Sequence, residues 1–123
     1  MIVPLNTRLT VAELSFQLSD VGAKVLLVGD GFEAQAAGLA EALPDLRIER
    51  LDEAGGSLRR AAAGLVPLAD AARADADLAG VFYTGGTTGL PKGVMLTNEG
   101  MAHTPRLGEA WGMGPDSADL VAM

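Results

Sequence analysis

Apolar side chains at Val11, Leu14, Leu18 and Val21 recur in steps of three and four, the stripe of one helix face. Thr10 and Glu13 stand at the Thr-x-x-Glu spacing of a capping box, and Gly22 is a fitting stop. An amphipathic helix over residues 10–21 is therefore predicted. Residues 24–28 then change period: Val25-Leu26-Leu27-Val28 is a continuous apolar run, the mark of a buried strand. Gly29-Asp30-Gly31 reads as a turn. Phe32, Ala36, Leu39 and Leu43 mark a second helical stripe, which Pro44 ends. Arg47-Ile48-Glu49-Arg50-Leu51 mixes charged and branched residues, as an exposed or edge strand does.

Residues 52–57 read as a loop. The alanine-rich stretch 58–77 suits one or two short helices interrupted by Gly64 and Pro67, or a connector. Residues 78–84 form an apolar run expected to be a strand buried on both faces, with Val94-Met95-Leu96 a short apolar run beyond it. Thr97 or Asn98 is an acceptable N-cap for a further helix, which Pro105 and Gly108 would kink or end early. Residues 116–123 suggest a turn leading into another strand. Helices alternating with strands in this way argue for an α/β layered sheet with flanking helices.

A chain of 123 residues allows one modest domain, 1–123, and its five aromatic residues of the Phe, Trp and Tyr types leave few large core anchors. A net charge of −7 argues against a nucleic-acid partner, which calls for a basic face. It does not argue against a nucleotide, for which one local cationic loop is enough. No cysteine is present, which removes disulfides and thiolate metal sites. Neither a secretory leader nor an apolar run long enough to span a bilayer is visible, so a cytoplasmic location is expected. Asp70, Asp75 and Asp77 lack a compact ligand spacing and read as a solvated stretch rather than a metal site. His103 has no partner at a telling spacing and reads as a solvated helix residue. Trp111 reads as a packing anchor, and Tyr83 as a core aromatic at a strand end rather than a base-stacking residue.

The chemistry concentrates in Val81-Phe82-Tyr83-Thr84-Gly85-Gly86-Thr87-Thr88-Gly89-Leu90-Pro91-Lys92-Gly93-Val94-Met95. Glycines remove the Cβ atoms that would block close approach, and successive main-chain N–H groups can then form a nest for anionic oxygens. Thr87 and Thr88 add hydroxyl donors; Lys92 adds a compact positive charge. The spacing is neither that of a Walker loop, which needs Gly-Lys followed by Ser or Thr, nor the Gly-x-Gly-x-x-Gly of a dinucleotide fold.

The segment resembles the phosphate loop of the adenylate-forming enzymes: acyl-CoA synthetases, aryl-CoA ligases, luciferases of the firefly type and the adenylation domains of peptide synthetases. Their usual wording is Tyr-Thr-Ser-Gly-Thr-Thr-Gly-x-Pro-Lys-Gly-Val. Tyr83, Thr84, Gly86, Thr87, Thr88, Gly89, Pro91, Lys92, Gly93 and Val94 match it, and Gly85 stands where serine is usual. Val3-Pro4-Leu5-Asn6-Thr7-Arg8-Leu9-Thr10 and the stretch from Asp20 to Val28 resemble the scaffold segment that precedes this loop in acyl-CoA synthetases. Asn98 departs from the family, which tends to carry histidine there.

The resemblance implies part of the large N-terminal domain of an enzyme that joins a carboxylic acid to a thiol. ATP with Mg2+ activates the acid as an acyl-adenylate, and coenzyme A, the co-substrate, takes the acyl group as a thioester. Thr84, Gly85, Gly86, Thr87, Thr88, Gly89 and Lys92 become the ATP-binding positions. Lys92 is the catalytic charge that neutralises the departing pyrophosphate, and Thr87 or Thr88 is the hydroxyl ligand of the metal. The wording leans toward fatty or aryl acids. An amino-acid adenylation domain and a non-catalytic phosphate-binding module are the alternatives. The downstream nucleotide-holding segments and the C-terminal domain of the family have no counterpart in these residues. The chain is therefore expected to be a fragment that does not turn over by itself.

Overall fold

The computed structural model describes residues 1–51, 62–66, 72–85 and 90–103. Six elements follow one another: α1 (Val11–Asp20), β1 (Val25–Val28), α2 (Glu33–Ala42), β2 (Arg47–Arg50), β3 (Leu78–Thr84) and β4 (Lys92–Thr97). The chain groups into two compact units, one of Pro4–Ala69 with Tyr83–Gly93, the other of Met1–Val3, Asp70–Phe82 and Val94–Met123.

Local sequence fixes both ends of α1. The Thr10 hydroxyl accepts from Glu13 N at 3.3 Å, and Thr10 N donates to the Glu13 carboxylate at 2.8 Å, completing the capping box. These bonds hold the Glu13 carboxyl below its ordinary range, the Thr10 side chain first and its backbone next. At the other end Gly22 adopts φ +60°, where a Cβ would be strained. Ala23 N then reaches Leu18 O at 2.9 Å and Gly22 N reaches Ser19 O at 3.1 Å, the paired bonds of a Schellman finish.

One face of α1 presents Leu14 and Leu18 to Leu39 of α2 and to Leu46, and together they make the buried cluster of this unit. Burying each such leucine is worth about 1.5–3 kcal/mol. Gly38 lets the two helices approach: a Cβ there would lie 3.0 Å from Val11 Cγ2. Strands β1 and β2 pair in parallel, Val25 opposite Arg47 through Val28 opposite Arg50, with α2 as the crossover between them. Leu26 and Ile48 share the face that packs on the leucine cluster. Arg50 donates to Glu33 Oε1 at 2.8 Å, joining the end of β2 to the start of α2.

Several sequence expectations need correction in this unit. β1 is buried on one face only: Val25 and Leu27 are 49% and 51% exposed, because among the described residues the β1–β2 sheet has helices on one side alone. Phe32 does not join the α2 stripe; it occupies the position before the helix and is exposed. Gln17, a polar residue outside the predicted stripe, is buried beside Leu18, and Leu46 is buried from the turn before β2.

In the other unit, residues 78–82 of β3 include the buried pair Gly80 and Val81 while Leu78 is exposed, so the expected burial on both faces holds only at the strand's middle. Ile2 pairs in parallel beside it, donating to Ala79 O at 2.9 Å and accepting from Val81 N at 3.0 Å. Strand β4 lies on the other side. The residues after β4 turn helical at 98–103. Thr97 caps them, its hydroxyl accepting from Gly100 N at 3.1 Å. Asn98 N and Glu99 N donate to the carbonyls of Asp77 and Asp75, so the first helical donors are satisfied. The expected loop at 52–57, residues 58–61 and 67–71 of the stretch 58–77 (Pro67 and Asp70 among them), Pro105, Gly108, Trp111 and residues 116–123 lie outside the described residues.

Candidate functional site

Strand β3 ends at Thr84 and β4 begins at Lys92, so the glycine- and threonine-rich segment is the connection between two paired strands. Hydrogen bonds mark both ends of the pair: Thr84 Oγ1 lies 3.4 Å from Lys92 O, and Asn98 N is 3.0 Å from Asp77 O. The two strands therefore run in opposite directions, and the segment must reverse the chain. Gly85, Leu90 and Pro91 belong to neither strand. Gly86, Thr87, Thr88 and Gly89 lie outside the described residues.

Among the described residues other than its chain neighbours, nothing lies within 4 Å of where a Cβ of Gly85 would stand. Thr84 and Lys92 are both exposed. No carboxylate among the described residues pairs with the Lys92 ammonium. One detail differs from the sequence reading: Lys92 is the first residue of β4 rather than part of the turn. Pro91, which restricts Leu90 to extended backbone, sits directly before it.

Tyr83, the residue before Thr84, contacts α1. Its hydroxyl is 2.5 Å from Asp20 Oδ2 and 3.2 Å from Gln17 O, at the C-terminal end of α1. Burial, then the Asp20 hydrogen bond and charge, push its pKa up to about 12. Tyr83 is thus a half-buried aromatic at a strand end, tied to α1 through its hydroxyl, and not a member of the buried core. Asp20 and Gln17 escaped sequence reasoning. They lie more than sixty positions upstream (63 for Asp20), and no local pattern links them to Tyr83. His103 is exposed on the helical turns after β4, 3.6 Å from Glu99 Oε1.

The chain belongs to the AMP-binding enzyme family, whose model matches residues 1–122. Among curated relatives it is 40% identical over 95 residues to the 2-succinylbenzoate–CoA ligase of Bacillus velezensis, covering 77% of this chain and 18% of that protein. It is 40% identical over 104 residues to the long-chain-fatty-acid–CoA ligase FadD13 of Mycobacterium tuberculosis, covering 79% and 20%. Among solved structures it resembles ATP-bound MatB from Rhodopseudomonas palustris, with a TM-score of 0.73 at 35% identity over 94% of this chain and 23% of that one. The chain thus spans about a fifth of the length of the relatives it matches. The α/β layering is that of the corresponding part of adenylate-forming enzymes.

Proposed function

We propose that this chain carries the nucleotide phosphate-binding loop of an ATP-dependent carboxylic acid–CoA ligase. The observation that carries the reading is the Tyr83–Val94 wording, set between paired strands with an exposed Lys92 at its far end that pairs with no carboxylate among the described residues. Thr84, Gly85, Gly86, Thr87, Thr88 and Lys92 would hold the β- and γ-phosphates, and Gly89 would shape the turn. The Thr87 hydroxyl would bind Mg2+. Bound ATP supplies the activating adenylyl group. The chain's own task is electrostatic: amides, hydroxyls and the Lys92 ammonium offset charge that builds on the departing pyrophosphate. A fatty or aromatic acid is the favoured substrate class and coenzyme A the acceptor, and the two bacterial relatives, ligases of an aromatic acid and of long-chain fatty acids, support this. A cytoplasmic setting suits both co-substrates.

The test is a graft. Residues 1–122 replace the matching segment of the Bacillus velezensis ligase, and acid-dependent ATP–pyrophosphate exchange and thioester formation are measured. The expected result is activity in the graft, a loss of at least about tenfold in kcat/KM with Lys92→Ala, and no exchange by the 123-residue chain alone. A folded graft without activity, or one indifferent to Lys92→Ala, refutes the reading.

A further inference from the structure

We infer that the Tyr83 hydroxyl, held by Asp20 and Gln17 at the end of α1, is a positioning group that fixes where the candidate phosphate loop leaves β3. The inference rests on the nucleotide reading above and adds to it the part of the scaffold that aims the loop. Tyr83 immediately precedes Thr84 and Gly85, so any movement of its ring is passed to the first loop amides. Successive strand side chains point to opposite faces. Tyr83 can therefore engage α1 while Thr84 turns the other way, its hydroxyl toward Lys92 O. The second contact draws the two ends of the loop together, and the first ties that closed neck to a helix. The helix is a firm support, because Leu14, Gln17 and Leu18 are all buried.

Asp20 gives a second, independent indication. A carboxylate in the last turn of a helix faces the negative end of the macrodipole, and α1 has no basic residue there to offset it. Helix stability alone disfavours an acid at this position. Accepting the Tyr83 proton gives that acid a role. A site whose ligand is held by amides tolerates little displacement, so a polar tether one residue from the loop has a direct path to affinity.

The experiment measures equilibrium binding of inorganic pyrophosphate, ATP and adenosine to the 123-residue chain, with thermal melting recorded alongside. Tyr83→Phe and Asp20→Ala are each expected to weaken pyrophosphate and ATP binding about fivefold, the scale of one lost hydrogen bond, with adenosine unaffected. Asp20→Asn keeps an acceptor and should stay within about twofold of the unaltered chain by the same scale. The double variant Tyr83→Phe with Asp20→Ala should be no weaker than Tyr83→Phe alone, since Tyr83→Phe already removes the contact that Asp20→Ala removes. Pyrophosphate affinity unchanged in Tyr83→Phe, additive losses, or losses that extend equally to adenosine and follow melting would overturn the inference while leaving the loop assignment intact. If the unaltered chain binds neither pyrophosphate nor ATP, the loop assignment falls and the tether falls with it. Should Tyr83→Phe not fold, the contrast between Asp20→Ala and Asp20→Asn decides the matter.

Discussion

The α1–β1–α2–β2 segment and the described ends of the β3–β4 connection are held by different means. The first draws on leucines: Leu14, Leu18, Leu39 and Leu46 bury one another, and caps finish α1. In the second, Gly85, Leu90, Pro91 and Lys92 lie outside the buried core, and the ends are held by polar contacts through Thr84 and Tyr83. A loop proposed to present bare amides to an anion has little room for a leucine core of that kind. Stability and candidate chemistry are therefore separable, and substitutions should divide along that line.

The largest effect is expected at Leu39, only 2% exposed. Leu39→Ala should cost about 2–5 kcal/mol in urea unfolding, leaving pyrophosphate affinity per folded molecule unchanged. Next comes Gly80, where an added methyl would lie 3.0 Å from Phe82 Cε2 and 3.1 Å from Ile2 O. Gly80→Ala should cost about 1–3 kcal/mol by the same measurement, since a backbone oxygen cannot step aside as a side chain can. Thr10→Ala removes the α1 cap, for about 0.5–2 kcal/mol.

The cap also has a pH signature. The Glu13 carboxyl titrates below its unfolded value of 4.5, so its contribution is fully present above that value. It is lost as the pH falls through the lower folded value. Acid titration of stability should show this loss in the unaltered chain and less of it in Thr10→Ala. The smallest change in stability, within about 0.5 kcal/mol, is expected for Gly85→Ser, whose side chain meets open space. Calorimetry with pyrophosphate should nonetheless register tighter binding, because the family's usual hydroxyl is restored. Weaker binding would show that the bare glycine is what the ligand requires.

What could be read from the residues alone follows the range of the forces involved. The start of α1 was legible because Thr10 and Glu13 satisfy each other within one turn, and its finish because Gly22 alone can adopt the needed φ. The bounds of β3, Leu78–Thr84, coincide with its apolar run. The exposure of Val25 and Leu27 was not legible, since an apolar run cannot report whether a second layer covers it. Burial of Gln17 was hidden by its polarity, and burial of Leu46 by its place in a turn. Within the candidate site the loop wording was plain, whereas the Asp20–Tyr83 contact depends on tertiary folding.

The pairing of Ile2 with β3 bears on how this molecule should be handled. The amide and carbonyl of one residue near the amino end shield the flank of a strand that would otherwise be open. Trimming the first three residues would leave Ala79 O and Val81 N without their present partners and turn a doubly flanked strand into an adhesive border. A purification tag is better attached where it leaves Met1, Ile2 and Val3 in place, and a preparation clipped there should clump as its concentration rises.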